Sequence, residues 1–368
     1  MEKKKMFDFV IGNPPYQDSE SVNNRAGAVY PFFYDVAEKL AEASLLISPA
    51  RFLFNTGLTS KEWNEKMLND SHIKVLEYYP DSSSVFSNTD IKGGVVTVYR
   101  NNSKHFEKIE TFIPDPILRT LATKFSTNEN EFSAIMHGGR SDLKFNDIFL
   151  QDYPKVPSIL LGNIRKKHPS AECLSPNEEY ELKSSSFETL SSFFVNEKPK
   201  DEGNYYKLVG LLNGKRVLRY IERKYMTPRY PNNNNVNSFK VFVPESNGSG
   251  AIGEVLSTPL IGTPLIGTPL MSCTPTFISI GSFNSLEEAE HCLRYIKTKF
   301  CRVLLGIMKT TQHNPAPAWK YVPLQDFTSS SDIDWSKSIH EIDLQLYKKY
   351  GLDQHEIDFI ETHVKEMV

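Results

Sequence analysis

Residues 7–11, Phe-Asp-Phe-Val-Ile, form a short apolar run that is halted at once by Gly12-Asn13-Pro14-Pro15-Tyr16. A run of this length, bounded by Gly and Pro, reads as a buried strand. Two consecutive prolines fix φ and carry no N–H, so neither strand nor helix can continue through them and the chain must turn. Ligands of open α/β sheets bind at the carboxyl ends of strands. The groups this turn can present there are an Asn amide, the Asn and Pro carbonyl oxygens, and an aromatic ring. That set suits a flat ligand bearing an exocyclic amino group. The Asn13 side-chain oxygen and the Pro14 carbonyl can each accept one N–H, and Tyr16 can stack on the ring, a contact of about 1–3 kcal/mol for a nucleobase. Two acceptors pulling on an aromatic amine draw its nitrogen toward tetrahedral geometry and free its lone pair for nucleophilic attack.

The rest of the first hundred residues alternates helix and strand patterns. Phe33, Val36, Ala37 and Leu40 fall at helical spacing within 29–42. Leu45-Leu46-Ile47 reads as a buried strand ended by Ser48-Pro49. A helix over 60–69, a strand over 73–79, a polar loop over 80–93 and a strand over 94–99 follow. This order predicts an α/β sheet with helices on both faces, closing near residue 113. A helical connector is expected over 114–149, on the spacing of Leu118, Leu121 and Phe125. Residues 150–325, with short apolar runs between Gly, Pro and Asn clusters, predict a β-rich domain. The tail over 326–368 holds two helical patterns parted at Gly351. Thr-Pro-Leu-Ile-Gly occurs at 258–262 and again at 263–267, followed by Thr-Pro-Leu at 268–270. A five-residue period with Pro and Gly in each copy fits neither a helix nor a regular ladder and reads as an extended loop.

Charge is unevenly placed. The formal net charge is −3, so no global basic field marks a nucleic-acid binder. Yet 204–240 holds eight basic residues against one acidic, a net of +7, while 326–368 holds ten acidic against four basic, a net of −6. In the basic stretch, Lys215, Arg216, Arg219, Arg223, Lys224 and Arg229 are interleaved with tyrosines, which suits phosphate and base contacts. Arg216, Arg219 and Arg223 share one face if 214–225 is helical. Arg165, Lys166 and Lys167 make a smaller patch, and Thr310-Thr311-Gln312-His313-Asn314 reads as a polar loop, either facing DNA or closing a capped turn. The four cysteines are far apart, with no Cys-x-x-Cys pair, which argues against a disulfide scaffold or structural zinc. No apolar run is long enough for a membrane span, and a cytoplasmic protein is expected. No metal or nuclease constellation stands out.

Asn13-Pro14-Pro15-Tyr16 resembles motif IV, (D/N/S)PP(Y/F/W), of the amino-methyltransferases that use S-adenosylmethionine. Leu45 to Leu53 is similar to their motif VI, and Val85 to Val95 to their motif VIII. Together these resemble the N6-adenine DNA methyltransferases of bacterial Type II restriction–modification systems. The resemblance implies a Rossmann-like methyltransferase sheet over 1–113, a DNA target-recognition domain over 150–325, and double-stranded DNA as partner. It implies that Asn13 and the Pro14 carbonyl hold the N6 amine of a flipped adenine while Tyr16 stacks on one ring face. Pro15 and Phe86 would line the substrate pocket, Phe86 on the other face. The base must leave the duplex to reach such a pocket.

One departure matters. In that family the Gly-rich S-adenosylmethionine motif precedes motif IV, and only twelve residues precede Asn13 here. A βαβ unit needs about 30 residues. Gly93-Gly94 and Gly138-Gly139 lack the strand–loop–helix setting of a cofactor loop. The expectation is therefore an incomplete S-adenosylmethionine site, inactive until an N-terminal segment or a protein subunit completes it. A non-catalytic DNA-specificity subunit working with a separate methyltransferase or nuclease is the alternative. Glutamine-N5 protein methyltransferases share the Asn-Pro-Pro-Tyr turn but lack a long basic domain after it.

Overall fold

The structure is a computed structural model that describes residues 5–17, 27–55, 58–87, 89, 91, 93–126, 130–230, 232–247, 264–309 and 312–367. The chain divides into two compact units, Met1–Pro116 and Ile117–Val368.

Unit 1 is a four-stranded sheet with helices. Its elements are β1 (Phe7–Gly12), α1 (Tyr30–Leu40), β2 (Ala41–Pro49), α2 (Lys61–Asn69), β3 (Ile73–Tyr79) and β4 (Val95–Asn101). The strand order is β1-β2-β4-β3. β1 runs parallel to β2, with Ile11 opposite Leu45, whereas β4 is antiparallel to both β2 and β3. The apolar periodicities of the sequence thus become the elements they predicted. α2 begins where the Ser60 hydroxyl accepts the Trp63 amide, which satisfies one orphan N–H of the first turn. Tyr30, Tyr34, Ala37, Leu46, Phe52, Met67, Ile73, Val96 and Val98 form one core, with the rings of Tyr30, Tyr34, Phe52 and Trp63 meeting mostly edge to face. The expectation of a sheet covered on both faces is corrected here. Phe7, Phe9 and Ile11 alternate along β1 and remain exposed, Ile11 by 73%. Among the described residues β1 is also an edge, bonded to β2 alone.

Unit 2 mixes helices with three small sheets. Its first segments are α3 (Pro116–Phe125), β5 (Met136–His137), β6 (Leu143–Phe145), α4 (Asp147–Asp152), α5 (Val156–Arg165) and α6 (Ser186–Thr189). The central strands are β7 (Tyr205–Leu212), β8 (Lys215–Glu222), β9 (Met226–Pro228), β10 (Phe239–Pro244), β11 (Leu265–Gly267), β12 (Met271–Cys273) and β13 (Phe277–Phe283). The chain closes with α7 (Leu286–Lys297), α8 (Lys299–Met308), α9 (Ile339–Lys349) and α10 (Gln354–His363). The sheets are β11-β10-β13-β5, β12-β7-β8 and β6-β9.

Several local expectations are corrected. The connector over 114–149 is helical at α3, but its later part supplies β5 and β6, which pair with β13 and β9. Residues 215–222 are a strand, so Arg216 and Arg219 point to opposite faces instead of sharing one. Of the pentapeptide repeat, 258–263 lies outside the described residues, and Leu265–Gly267 does enter a ladder, opposite Phe242, Val241 and Lys240. The acidic tail packs within unit 2, where the Asp343 carboxylate accepts the Lys299 and Phe300 amides at the start of α8. No helix among the described residues is long and apolar enough to cross a membrane.

Candidate active site and nucleic-acid interface

The turn expected after the first strand is present. β1 ends at Gly12, and Asn13 to Tyr16 leave it without regular structure before Gln17 bridges to Ala28. Asn13 and Pro15 are exposed and Pro14 is buried, so the turn is pinned by one proline while the Asn amide stays accessible. The Tyr16 carbonyl accepts the Val29 amide at 3.3 Å, which ties the turn to the start of α1.

Tyr16 lines a cavity of about 260 Å³ together with Tyr30, Pro49, Arg51, Leu58 and Ile91. The volume lies just under the range of about 300–1,000 Å³ common for small-molecule sites. Burial pushes the Tyr16 phenol up, and interaction with the Asn13 side chain opposes the rise. The Tyr16 hydroxyl oxygen is nonetheless shut off from solvent without a well-formed hydrogen bond. Such an orphaned group costs free energy unless something completes it. Burial also pushes Tyr30 up to about 12, with Thr59 and the charge of Arg51 working the other way. Behind them the Tyr34 hydroxyl and Ser48 hydroxyl are 2.9 Å apart. The wall therefore combines two tyrosine rings with aliphatic side chains and the Arg51 cation.

Two of these residues come from the segments expected to matter, Arg51 from 45–53 and Ile91 from 85–95. Sequence reasoning quoted both segments but assigned neither residue a role. Phe86 is half-buried, its amide donating to the Ser82 carbonyl, and it is not among the residues that line this cavity. Gly93 and Gly94 take φ of +88° and +75°. A Cβ on Gly94 would lie 2.2 Å from the Tyr79 carbonyl oxygen, and one on Gly93 would lie 3.0 Å from Arg51 Cγ. Their task is a close turn into β4, with the Gly94 amide spent on the Ile91 carbonyl. They lead into a strand, and Gly138-Gly139, between β5 and β6, follows a two-residue strand and opens no helix.

The basic residues of unit 2 are engaged to different degrees. Arg229 is bonded to Glu181 and to the Ser141 carbonyl. Arg165 donates to the Ala171 and Glu172 carbonyls. Arg223 donates to the Gly203 carbonyl and lies 5.5 Å from the Tyr206 ring centroid. Lys224 pairs with Glu222 at 3.2 Å and sits over the Tyr225 ring. Arg219 reaches the Leu218 carbonyl. Lys166, Lys167, Lys215 and Arg216 are exposed. His313 pairs with Glu245 at 3.0 Å, a partner 68 residues away that sequence spacing could not reveal. Asn314 is fully buried, bonded to the Pro244 carbonyl and to Asn247. Thr310 and Thr311 lie outside the described residues, as do Asn88, Asp90 and Lys92. No group of three or more His, Cys, Asp or Glu that could hold a metal occurs among the described residues.

Comparison with known proteins agrees with the resemblance drawn from the turn. Residues 1–86 match the family described as Eco57I restriction-modification methylase. A protein of Mycoplasma pneumoniae described as an uncharacterized adenine-specific methylase is 27% identical over 171 residues, covering 45% of this chain. That match covers 40% of the relative, so the chain spans about two fifths of the length of the protein it matches. The chain thus resembles adenine methyltransferases of restriction–modification systems, and the likeness to the family begins with the strand and turn that carry Asn13 and Tyr16.

Proposed function

We propose that this chain is a component of a site-specific adenine-N6 DNA methyltransferase of a restriction–modification system, holding the flipped adenine and recognising DNA sequence. The observation that carries the reading is the placement of Asn13 and Tyr16. An exposed amide and an aromatic ring leave the carboxyl end of a parallel strand together, the ring at the wall of a cavity of about 260 Å³. In this reading the Asn13 side-chain oxygen and the Pro14 carbonyl accept the two N–H bonds of the adenine amine. Tyr16 and Pro15 bound the base, and the reading assigns its other face to Phe86.

S-adenosylmethionine would supply the methyl group. Neither Gly93-Gly94 nor Gly138-Gly139 opens a helix, so the reading assigns the cofactor to a segment carrying a Gly-rich motif, in the same or another polypeptide. The open edge of β1 supports this, because Phe7, Phe9 and Ile11 on β1 and Phe32, Phe33 and Val36 on α1 remain exposed. Parallel strands are normally buried on both faces, and a bare apolar edge invites another strand.

The test is methyl transfer from radiolabelled S-adenosylmethionine to duplex DNA. The chain is assayed alone and mixed with the polypeptide encoded beside it. Transfer to adenine is expected only when a segment carrying a Gly-rich motif is supplied, fused before the chain or as the added polypeptide. Asn13→Ala should abolish it and leave duplex affinity nearly unchanged. Activity retained by Asn13→Ala overturns the role of the turn, and robust transfer by the chain alone overturns the divided site. A DNA-specificity subunit without catalysis predicts the same duplex binding, with methylation indifferent to Asn13.

A further inference from the structure

Unit 2 contains a hollow of about 1070 Å³ with a polar wall. Its floor is the β6–β9 ribbon, where Lys144 stands opposite Thr227 and both line the hollow. Leu143, Phe145 and Met226 beside them are buried in the core below. A two-stranded ribbon is one of the elements the major groove of B-DNA admits.

Three charged side chains meet on the wall. Arg229 grips Glu181 through two hydrogen bonds, at 3.0 Å and 2.6 Å, and donates from Nε to the Ser141 carbonyl at 2.9 Å. Its side chain is only 10% exposed. Arg140 approaches the same carboxylate, at 4.0 Å, with 67% of its side chain exposed. The other acids of the wall are already spent, Glu178 on Lys183 and Asp147 on the Tyr180 hydroxyl. Arg229 is thus a clamp that fixes Glu181, leaving the carboxylate with unused lone pairs and Arg140 with an open guanidinium.

The wall sets three carboxylates, Asp147, Glu178 and Glu181, among four cations, Arg140, Lys144, Lys183 and Arg229, so it presents both acceptors and donors. It is a good seat for base edges. A carboxylate accepts from cytosine N4, and an arginine gives two N–H bonds to guanine O6 and N7. Side chains 4.0 Å apart can address the two bases of one pair. We propose that this hollow reads base edges and that Arg140 and Glu181 read one G·C pair of the target sequence, with Arg229 as the positioning residue. The proposal rests on the function proposed above.

Selection of duplexes from a randomised library by the full chain, followed by sequencing, tests it. The unaltered chain should enrich one sequence. Arg140→Ala should enrich the same sequence with the preference at a single G·C position reduced about tenfold or more. Glu181→Gln should relax that same position, and Arg140→Gln should move it toward A·T, since glutamine pairs with adenine. Binding to unselected duplex should keep its salt dependence. Identical enrichment by Arg140→Ala and the unaltered chain overturns the inference and leaves the proposed function standing, as does a uniform loss of affinity across all sequences. Arg140 is mostly exposed, so its variants are not confounded by misfolding. Failure of the unaltered chain to enrich any sequence overturns sequence recognition itself, and this inference with it.

Discussion

Gly94 packs so tightly against Tyr79 that a single added carbon would come within 2.2 Å of the Tyr79 carbonyl oxygen. The backbone there is left-handed, at φ +75°, and Gly94 O accepts the Ala50 amide at 3.0 Å. The turn into β4 is therefore locked to the end of β2, which brings Arg51 beside the Tyr16 cavity. Gly94→Ala combines backbone strain with a clash against main-chain atoms. It should cost about 2–4 kcal/mol of unit 1 stability, read as a lowered urea midpoint. A loss below about 0.5 kcal/mol would contradict the packing.

Asp343 gives unit 2 a pH signature. Burial pushes its carboxyl up to about 6, with the Phe300 and Lys299 amides opposing the rise. A carboxyl raised above its unfolded value binds more protons in the native state, so its contribution to stability falls as pH rises between about 4 and 6. The difference in stability between the unaltered chain and Asp343→Asn should therefore shrink by up to about 3 kcal/mol over that window. Parallel stability curves for the two chains would refute it.

Lys240 works in the opposite direction. It is fully buried and donates to the Met271 carbonyl at 2.9 Å, and burial pushes its ammonium down to about 7, with Asp142 and Cys273 resisting. Burial likewise raises Asp142. Because the native state holds the lysine proton less firmly than the unfolded state, stability should rise with pH from about 7 toward 10. Lys240→Met should flatten that rise in thermal melts taken across the range. An unchanged slope would mean that Lys240 stays charged.

Salt dependence separates phosphate contacts from base contacts. Lys166 and Lys167 are exposed, whereas Arg229 is spent on Glu181. Alanine at both lysines should lower the slope of log affinity against log salt by about 2, close to one per phosphate contact. Arg229→Ala should instead disturb sequence choice. Equal slopes for the unaltered and double-alanine chains would remove this patch from the DNA interface.

The exposed edge of β1 makes a separate claim. Phe7→Lys alters a side chain already half in water, so stability should change by less than about 0.5 kcal/mol. Methyl transfer by the mixture with a cofactor-bearing polypeptide should fall sharply, because a charge would stand where a strand is expected. Undiminished transfer would place the contact elsewhere.

Legibility from sequence followed the reach of local rules. The period-3.6 pattern around Phe33 to Leu40 and the run at 45–47 became α1 and β2, and the prolines at 14 and 15 marked the turn, because each signal is local. Arg216 and Arg219 were misplaced because their three-residue spacing has meaning only in a helix, and the pairing of β8 with β7 overrides it. β5 and β6 escaped notice because strands of two and three residues have no periodicity of their own. The clamp of Arg229 on Glu181 joins positions 48 apart, and the His313–Glu245 pair spans more still, so neither leaves a trace in spacing. The openness of β1 depends on sheet order, which no single segment encodes.

The ladder at Leu265–Gly267 has a consequence for inheritance. The pentapeptides at 258–262 and 263–267 are letter for letter the same, so loss of either at the gene yields one and the same polypeptide. In it, Leu-Ile-Gly still precedes Thr-Pro-Leu, and the glycine on which a Cβ would come within 2.4 Å of the Phe242 ring is still glycine. Gain or loss of a copy by replication slippage therefore leaves the residues of β11 unchanged. The gene can vary its copy number here and still encode the glycine that the Phe242 ring requires.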